Sequence, residues 1–162
     1  MPTGSRCPHG QPNRRSSPRF CCACARKRTV DLSRPCALLK LVMPEPETAS
    51  LRAFLSARAA EGHVTSALSQ TEVAHALVRA GADPDVGDAA EDLLDRVLRI
   101  RITDPVLRAA GMFPTRHLRT LDAIHLASAE YLEQALTAFV TYDKRLASAA
   151  AERGLPVEAP GA

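Results

Sequence analysis

From residue 37 onward the apolar positions fall into short runs whose spacing switches between the helical and the strand period. Ala37–Val42 is an apolar run that Pro44 and Pro46 interrupt. Residues 47–60 read as a helix carrying Leu51, Phe54 and Leu55 on one face. His63–Ser66 reads as a short strand, followed by a helix from about Ser69 to Ala80. Gly81 to Gly87 is a turn-rich break. Residues 89–99 are amphipathic, with Leu93, Leu94, Val97 and Leu98 expected to face inward, and residues 100–103 form a candidate strand. Thr103 or Asp104 caps a short helix with Pro105 near its start, where a missing N–H costs nothing. Residues 120–134 are expected to be helical, 137–142 a strand and 143–153 a helix, with Gly154 as its C-terminal cap and 155–157 a last short strand.

Strands alternating with helices favour an α/β fold, a mostly parallel sheet covered by helices on both faces. Ligands in such folds gather at the carboxyl ends of the strands. No internal repeat or sustained heptad competes with this reading.

Residues 1–28 carry no period of either kind. Pro2, Pro8, Pro12 and Pro18 among many Arg, Ser and Gly residues predict a disordered tail. The charge is divided in the same way. Residues 1–36 hold eight basic residues against one acid, a net of +7, and the remainder holds thirteen basic against seventeen acidic, a net of −4. All five cysteines lie in the first segment, so the domain that follows does not depend on disulfides, in keeping with a reducing cytoplasm. The tail could bind nucleic acid through its charge. Cys21-x-x-Cys24 with Cys7 and His9 could ligate zinc, but a second properly spaced pair is missing. An erroneous start or reading frame in the gene is a further explanation of the segment.

Length and composition add limits. With 162 residues there is one domain and one core, and with aromatics at 4% and no Trp that core must be aliphatic. No apolar run approaches the roughly 20 residues of a membrane span, and the amino end lacks the apolar stretch of a secretory signal.

Three acids stand where strand-like segments hand over to helices. Glu72 follows the strand at His63–Ser66, Asp122 opens a helix, and Asp143 ends the strand at 137–142. Placed on neighbouring strands of a parallel sheet, they would converge on one edge. Converging carboxylates stay ionised together only beside a cation, and hard oxygen ligands suit Mg²⁺ or Mn²⁺. Such an ion activates water for hydrolysis of a phosphodiester. Each acid also has a purely structural explanation. Ser69-x-x-Glu72 matches a capping box, Asp122 suits a helix dipole, and Asp143 suits an N-cap. His125 follows Asp122 by three residues and could share its face, as a packed residue or a supporting one. His75 reads as a half-exposed structural residue. Gly-rich phosphate loops, G-x-S-x-G and H-E-x-x-H are all missing.

Four blocks, Ala37-Leu-Leu-Lys-Leu-Val-Met-Pro-Glu45, Thr65-Ser-Ala-Leu-Ser-Gln-Thr-Glu72, Leu121-Asp-Ala-Ile-His-Leu-Ala127 and Phe139-Val-Thr-Tyr-Asp143, resemble the PIN-domain family in the family's order. They are most similar to the VapC toxins of VapBC toxin–antitoxin pairs. The resemblance runs from about Ala37 to Pro160, within a PIN-like domain placed at residues 29–160. It implies an endoribonuclease dependent on Mg²⁺ or Mn²⁺, acting on tRNA or other structured RNA. It further implies restraint by a cognate VapB-like antitoxin, and homodimer formation. Glu72, Asp122 and Asp143 match the second, third and fourth acids of the family's metal site and would be both catalytic and metal-binding.

The first acid is missing. The family's opening strand ends in an Asp three residues before the Ala of the A-L-x-K-L run, and here that position is Arg34. At an effective dielectric of about 20, two unit charges about 4 Å apart are worth ~4 kcal/mol, so an inward-pointing Arg34 is expected to expel a cation. The resemblance thus leaves two readings, a metal-dependent ribonuclease or a PIN module that binds antitoxin or RNA without cutting. An outward-pointing Arg34 would instead meet RNA phosphate. Asp31 offers a substitute for the lost acid if three extra residues follow the strand.

Overall fold

The computed structural model describes residues 30–114 and 118–162. The readings made for the tail at 1–28, disorder and zinc binding included, fall outside the described residues. Among the described residues five parallel strands form one sheet: β1 (Val30–Ser33), β2 (Gly62–Ser66), β3 (Leu98–Ile100), β4 (Leu136–Val140) and β5 (Val157–Glu158). Their order is β3-β2-β1-β4-β5, so the first strand of the domain is the central one. Strands β1 to β3 extend the sheet in one direction. Strand β4 returns to pair with the other edge of β1, which makes the crevice between β1 and β4 the topological switch point.

Helices cover both faces. Helix α1 (Pro35–Val42) packs with α3 (Leu68–Ala80) and α4 (Pro84–Arg96) through Leu38, Val73, Leu77, Ala90 and Leu94. Helix α2 (Thr48–Ala57) brings Leu51 against Ala37, Ala138 and Val140. On the opposite face, α6 (Thr120–Tyr131) and α7 (Lys144–Glu152) close over Leu32, Val64 and Phe139 with Leu126, Ala129, Leu146 and Ala150. The short α5 (Asp104–Gly111) lies beside α6 and buries Val106 against Ile124 and Ala127. The core is aliphatic apart from Phe139, as the composition requires. No helix among the described residues is long and apolar enough to cross a membrane.

The pattern-based boundaries need correction: the strand expected at 100–103 is β3 at Leu98–Ile100, the helix expected to reach 134 ends at Tyr131, and α4 is shifted. Helix α4 begins at Pro84, inside the expected turn, and ends at Arg96, before the expected end. Proline at the first turn has no intrahelical N–H to lose. The loss of helix propensity at Gly87, about 1 kcal/mol, is outweighed by the apolar contacts of Ala90 and Leu94. Leu98 consequently belongs to the edge strand β3 and is 65% exposed, where the helical reading faced it inward. The glycine cap is realised: Gly154 takes a φ of 74° at the end of α7.

Candidate functional site

Four helices begin at the carboxyl edge of the sheet, and their first residues supply the site. Arg34 follows β1 and is the N-cap residue of α1. Glu72 lies early in α3, which follows β2. Asp122 is in the first turn of α6. Asp143 follows β4 and is the N-cap of α7. The positive ends of α6 and α7 favour the carboxylates of Asp122 and Asp143, whereas a cation at the start of α1 is opposed by that helix's dipole. No side chain caps α1.

Arg34 points inward. It is 7% exposed, and its Nη1 donates to Asp122 Oδ1 at 2.8 Å. Its backbone N–H donates to the Val140 carbonyl at 3.0 Å, which holds the end of β1 against β4 at the switch point. The positive charge of Arg34 also acts on Glu72, His125 and Asp143. A buried Nε of the same guanidinium has no hydrogen-bond partner among the described residues.

Glu72 does not close a capping box. Helix α3 starts two residues earlier than that motif needs, and the Ser69 hydroxyl sits 2.5 Å from the Thr65 hydroxyl instead. Glu72 Oε2 meets His125 Nε2 at 2.5 Å. Burial pushes the Glu72 carboxyl up, but the hydrogen bond and charge of His125 and the charge of Arg34 outweigh it, and the group sits below its ordinary value. Burial pushes the His125 imidazole down, against the pull of Glu72 and with the help of Arg34, to below its ordinary range. The ring is fully buried and its Nδ1 has no partner among the described residues. A neutral imidazole donating Nε2–H to an ionised Glu72 satisfies both observations, because it leaves an acceptor, not a donor, unpaired.

Asp143 is the N-cap that its position suggests. Its Oδ1 accepts from the backbone N–H of Arg145 at 2.9 Å and of Leu146 at 3.1 Å. Burial raises this carboxyl, while those two N–H groups and the charges of Arg145 and Arg34 lower it further, for a net depression. His75 is exposed on α3 and meets none of these groups.

Asp31 is at the wrong end of the strand to replace the missing acid. It is the second residue of β1 and is fully buried. It is held by Arg58 through Nε–Oδ2 at 2.8 Å and Nη2–Oδ1 at 3.0 Å, with the Thr137 hydroxyl 2.9 Å from Oδ1. No loop of three extra residues follows β1, since α1 starts at Pro35. The Arg58 knot and the His125–Glu72 pair were invisible to sequence reasoning. Their partners lie 27 and 53 residues apart, and only the alternation of elements hinted at the second.

A divalent ion needs several oxygens turned toward one point. Here the Asp122 carboxylate is bonded by a guanidinium, Glu72 by an imidazole and Asp143 by two backbone N–H groups. Among the described residues no three His, Cys, Asp or Glu side chains come together in a metal-holding group. The residues as they stand do not fit a divalent ion.

The PIN domain family model matches residues 36–152, starting two residues after Arg34. Ribonuclease VapC47 of Mycobacterium tuberculosis (strain CDC 1551 / Oshkosh) is 42% identical over 128 residues, covering 78% of this chain and 93% of that protein. Ribonuclease VapC35 of Mycobacterium tuberculosis (strain ATCC 25618 / H37Rv) is 40% identical over 127 residues, covering 77% and 93%. Among solved structures, VapBC2 from Rickettsia felis, bound to a DNA fragment from its promoter, superposes with a TM-score of 0.59 at 14% identity. The match covers 82% of this chain and 99% of that one. PAE2754 from Pyrobaculum aerophilum gives 0.52 at 22% identity, covering 80% and 84%. At these identities the two structures speak for the fold alone.

Proposed function

The chain belongs to the PIN-domain family, and from that premise we propose that it is a VapC-like toxin of ribonuclease lineage whose hydrolytic site is held in check by Arg34. Its partners on this reading are a VapB-like antitoxin and structured RNA. The identity of 40–42% to proteins named ribonuclease VapC, over almost their whole length, supports the lineage. Support for RNA as the ligand comes from charge. Arg119, Lys144 and Arg145 are exposed and adjoin Asp122 and Asp143 in the chain, which suits a phosphate backbone passing over the carboxyl edge.

Glu72, Asp122 and Asp143 are the proposed catalytic and metal-binding set. In the family's chemistry a Mg²⁺ or Mn²⁺ ion at such acids supplies activated water and neutralises charge on the phosphodiester. The single observation that supports binding over cutting is the 2.8 Å bond from Arg34 to Asp122. It removes the best-placed carboxylate and adds a positive charge beside the others. The chain as it stands therefore engages antitoxin and RNA without efficient hydrolysis.

The test is cleavage of a pool of structured RNAs in Mg²⁺ or Mn²⁺ by this chain and by Arg34→Asp, with EDTA and Asp122→Asn as controls. Cutting by Arg34→Asp alone, abolished by both controls, is the expected result. Equal metal-dependent cutting by the unaltered chain would mean that three carboxylates suffice and that Arg34 does not restrain them. Capture of a VapB-like antitoxin by the unaltered chain tests the binding half of the proposal.

A further inference from the structure

Two concavities on the surface differ in the charge around them. One lies between α3 and α4, has a volume of about 600 Å³ and carries Asp83, Glu91 and Asp95 against Arg99, so it repels a polyanion. The other lies between α5 and α6 and has a volume of about 290 Å³. Its walls are apolar, built from Leu107, Ala110, Phe113, Leu118, Ala123 and Ile124, and Thr120 is the one polar side chain among the residues that line it. The surrounding chain is basic. Arg108 follows Leu107, Arg119 stands between Leu118 and Thr120, and both arginines are exposed.

The pocket adjoins the candidate site. Thr120 and Ala123 belong to the first turn of α6, the turn that also carries Asp122. Phe113 is held in place from behind the wall by Arg153, whose guanidinium lies 4.7 Å from the ring centroid and is itself paired with Glu130. At the end of α5, Met112 leaves 82% of its surface in water between the lining residues Gly111 and Phe113. Apolar walls under a cationic rim suit a ligand that is flat and apolar in one part and anionic in the next. A nucleotide within a single strand has that character, since every base presents a π-face and every linkage a negative charge.

We propose that the pocket between α5 and α6 takes one unstacked base of single-stranded RNA, while Arg108 and Arg119 hold the phosphates beside it. The inference rests on the reading of RNA as a ligand and deepens it, because it places an unpaired base against the protein as well as the backbone. The volume stands at the low end for small-molecule pockets, enough for one base and too little for a helix of a partner protein. Phe113 supplies the surface on which the base stacks, and the Thr120 hydroxyl is placed to meet a polar atom on the base edge. A duplex keeps its bases stacked inside, so the pocket selects loops and single strands. A base seated there brings its own phosphodiester over the start of α6, next to Asp122.

The experiment is fluorescence anisotropy with the full chain and labelled oligoribonucleotides of each single base. An abasic ribose-phosphate chain of the same length, with the same phosphates, is the comparison. The unaltered chain should bind the best homopolymer about tenfold more tightly than the abasic chain. Ala110→Leu fills the pocket and Phe113→Leu removes the ring. In both, the preference for bases should vanish while affinity for the abasic chain stays as it was. Ala110→Leu keeps Phe113 in the core and decides alone if Phe113→Leu does not fold. Arg119→Gln should weaken both ligands equally.

A preference for bases that survives in folded Ala110→Leu and Phe113→Leu would overturn the proposal and leave the RNA reading standing. Equal affinity of the unaltered chain for homopolymers and the abasic chain would do the same. An unaltered chain that binds none of these oligomers would remove the RNA reading, and this inference with it. Loss of self-association or of antitoxin capture in Ala110→Leu, with RNA affinity unchanged, would overturn the proposal by assigning the pocket to a protein interface.

Discussion

The central strand carries an arginine–carboxylate pair at each end, and the two pairs are built differently. At the amino end, Asp31 is fully buried and receives both Arg58 bonds, a third donor from Thr137, and a guanidinium that also reaches Glu61 at 3.0 Å. Among the described residues, neither Arg58 nor Thr137 leaves a buried donor without a partner there. At the carboxyl end, Arg34 makes one bond to Asp122 and leaves Nε unpaired, and the neighbouring His125 leaves Nδ1 unpaired. A parallel sheet explains which is which. Its carboxyl edge is where helix starts and a topological switch gather ligands, so groups there are placed for something that arrives. The amino edge has no such task, and its ion pair is free to be complete. An arginine next to a carboxylate is therefore not one kind of evidence. Completeness of its hydrogen bonding separates a structural knot from a pair in the proposed site.

The comparison can be broken most severely at the amino end. Arg58→Ala leaves Asp31 as an uncompensated charge in the core and is expected to cost about 3–5 kcal/mol by urea denaturation. Arg34→Gln is expected to cost about 2 kcal/mol in EDTA, because Asp122 keeps the favourable end of α6 and some contact with water. Equal losses in both variants would erase the distinction between the two ends.

Acid sharpens the contrast next. His125 is depressed below 6.5, so between that value and its folded one the unfolded chain binds the extra proton and stability falls as pH falls. Glu72 and Asp143 are depressed below 4.5 and 3.8, so their contributions hold above those values and are lost in turn at lower pH. The carboxyl end should thus weaken the protein steadily from just below neutrality, by at most about 1.4 kcal/mol per pH unit for each group. His125→Gln should flatten the first part of that decline in denaturation curves taken between about pH 7 and pH 5.5. The smallest effect is expected at Asp143→Ala, about 1 kcal/mol, for loss of the cap on α7. A much larger cost would mean that Asp143 is bound into the Arg34 network more tightly than its two backbone bonds imply.

Legibility of the chain varied with the range of the interactions involved. Local periodicity was enough for α2, where Leu51, Phe54 and Leu55 turn toward the sheet, and for β4, where Ala138 and Phe139 face opposite layers. It failed between Gly81 and Leu98. The turn signals of Pro84 and Gly87 were overridden by contacts with α1 and α3 that only tertiary structure provides. At the site, Arg34 was legible because a short motif fixed its register. Its inward orientation was not, because that depends on Asp122, 88 residues away. The capping box at Ser69 and Glu72 was a local pattern defeated by two distant partners, Thr65 across a turn and His125 on another helix.

The position of β1 at the middle of the sheet has a consequence for assembly. It is the first element of the domain to leave the ribosome, yet it pairs on one side with β2, through Val30 and Gly62, and on the other with β4, through Ser33 and Val140. The second pairing spans 107 residues, so one edge of the innermost strand stays bare until almost the whole chain exists. Contacts of such long sequence separation are slow to form, and an unpaired strand edge invites the wrong partner meanwhile. The nascent chain must therefore shelter its own centre until its last third has been made, and the buried charges at the two ends of β1 discourage it from pairing with anything else before then.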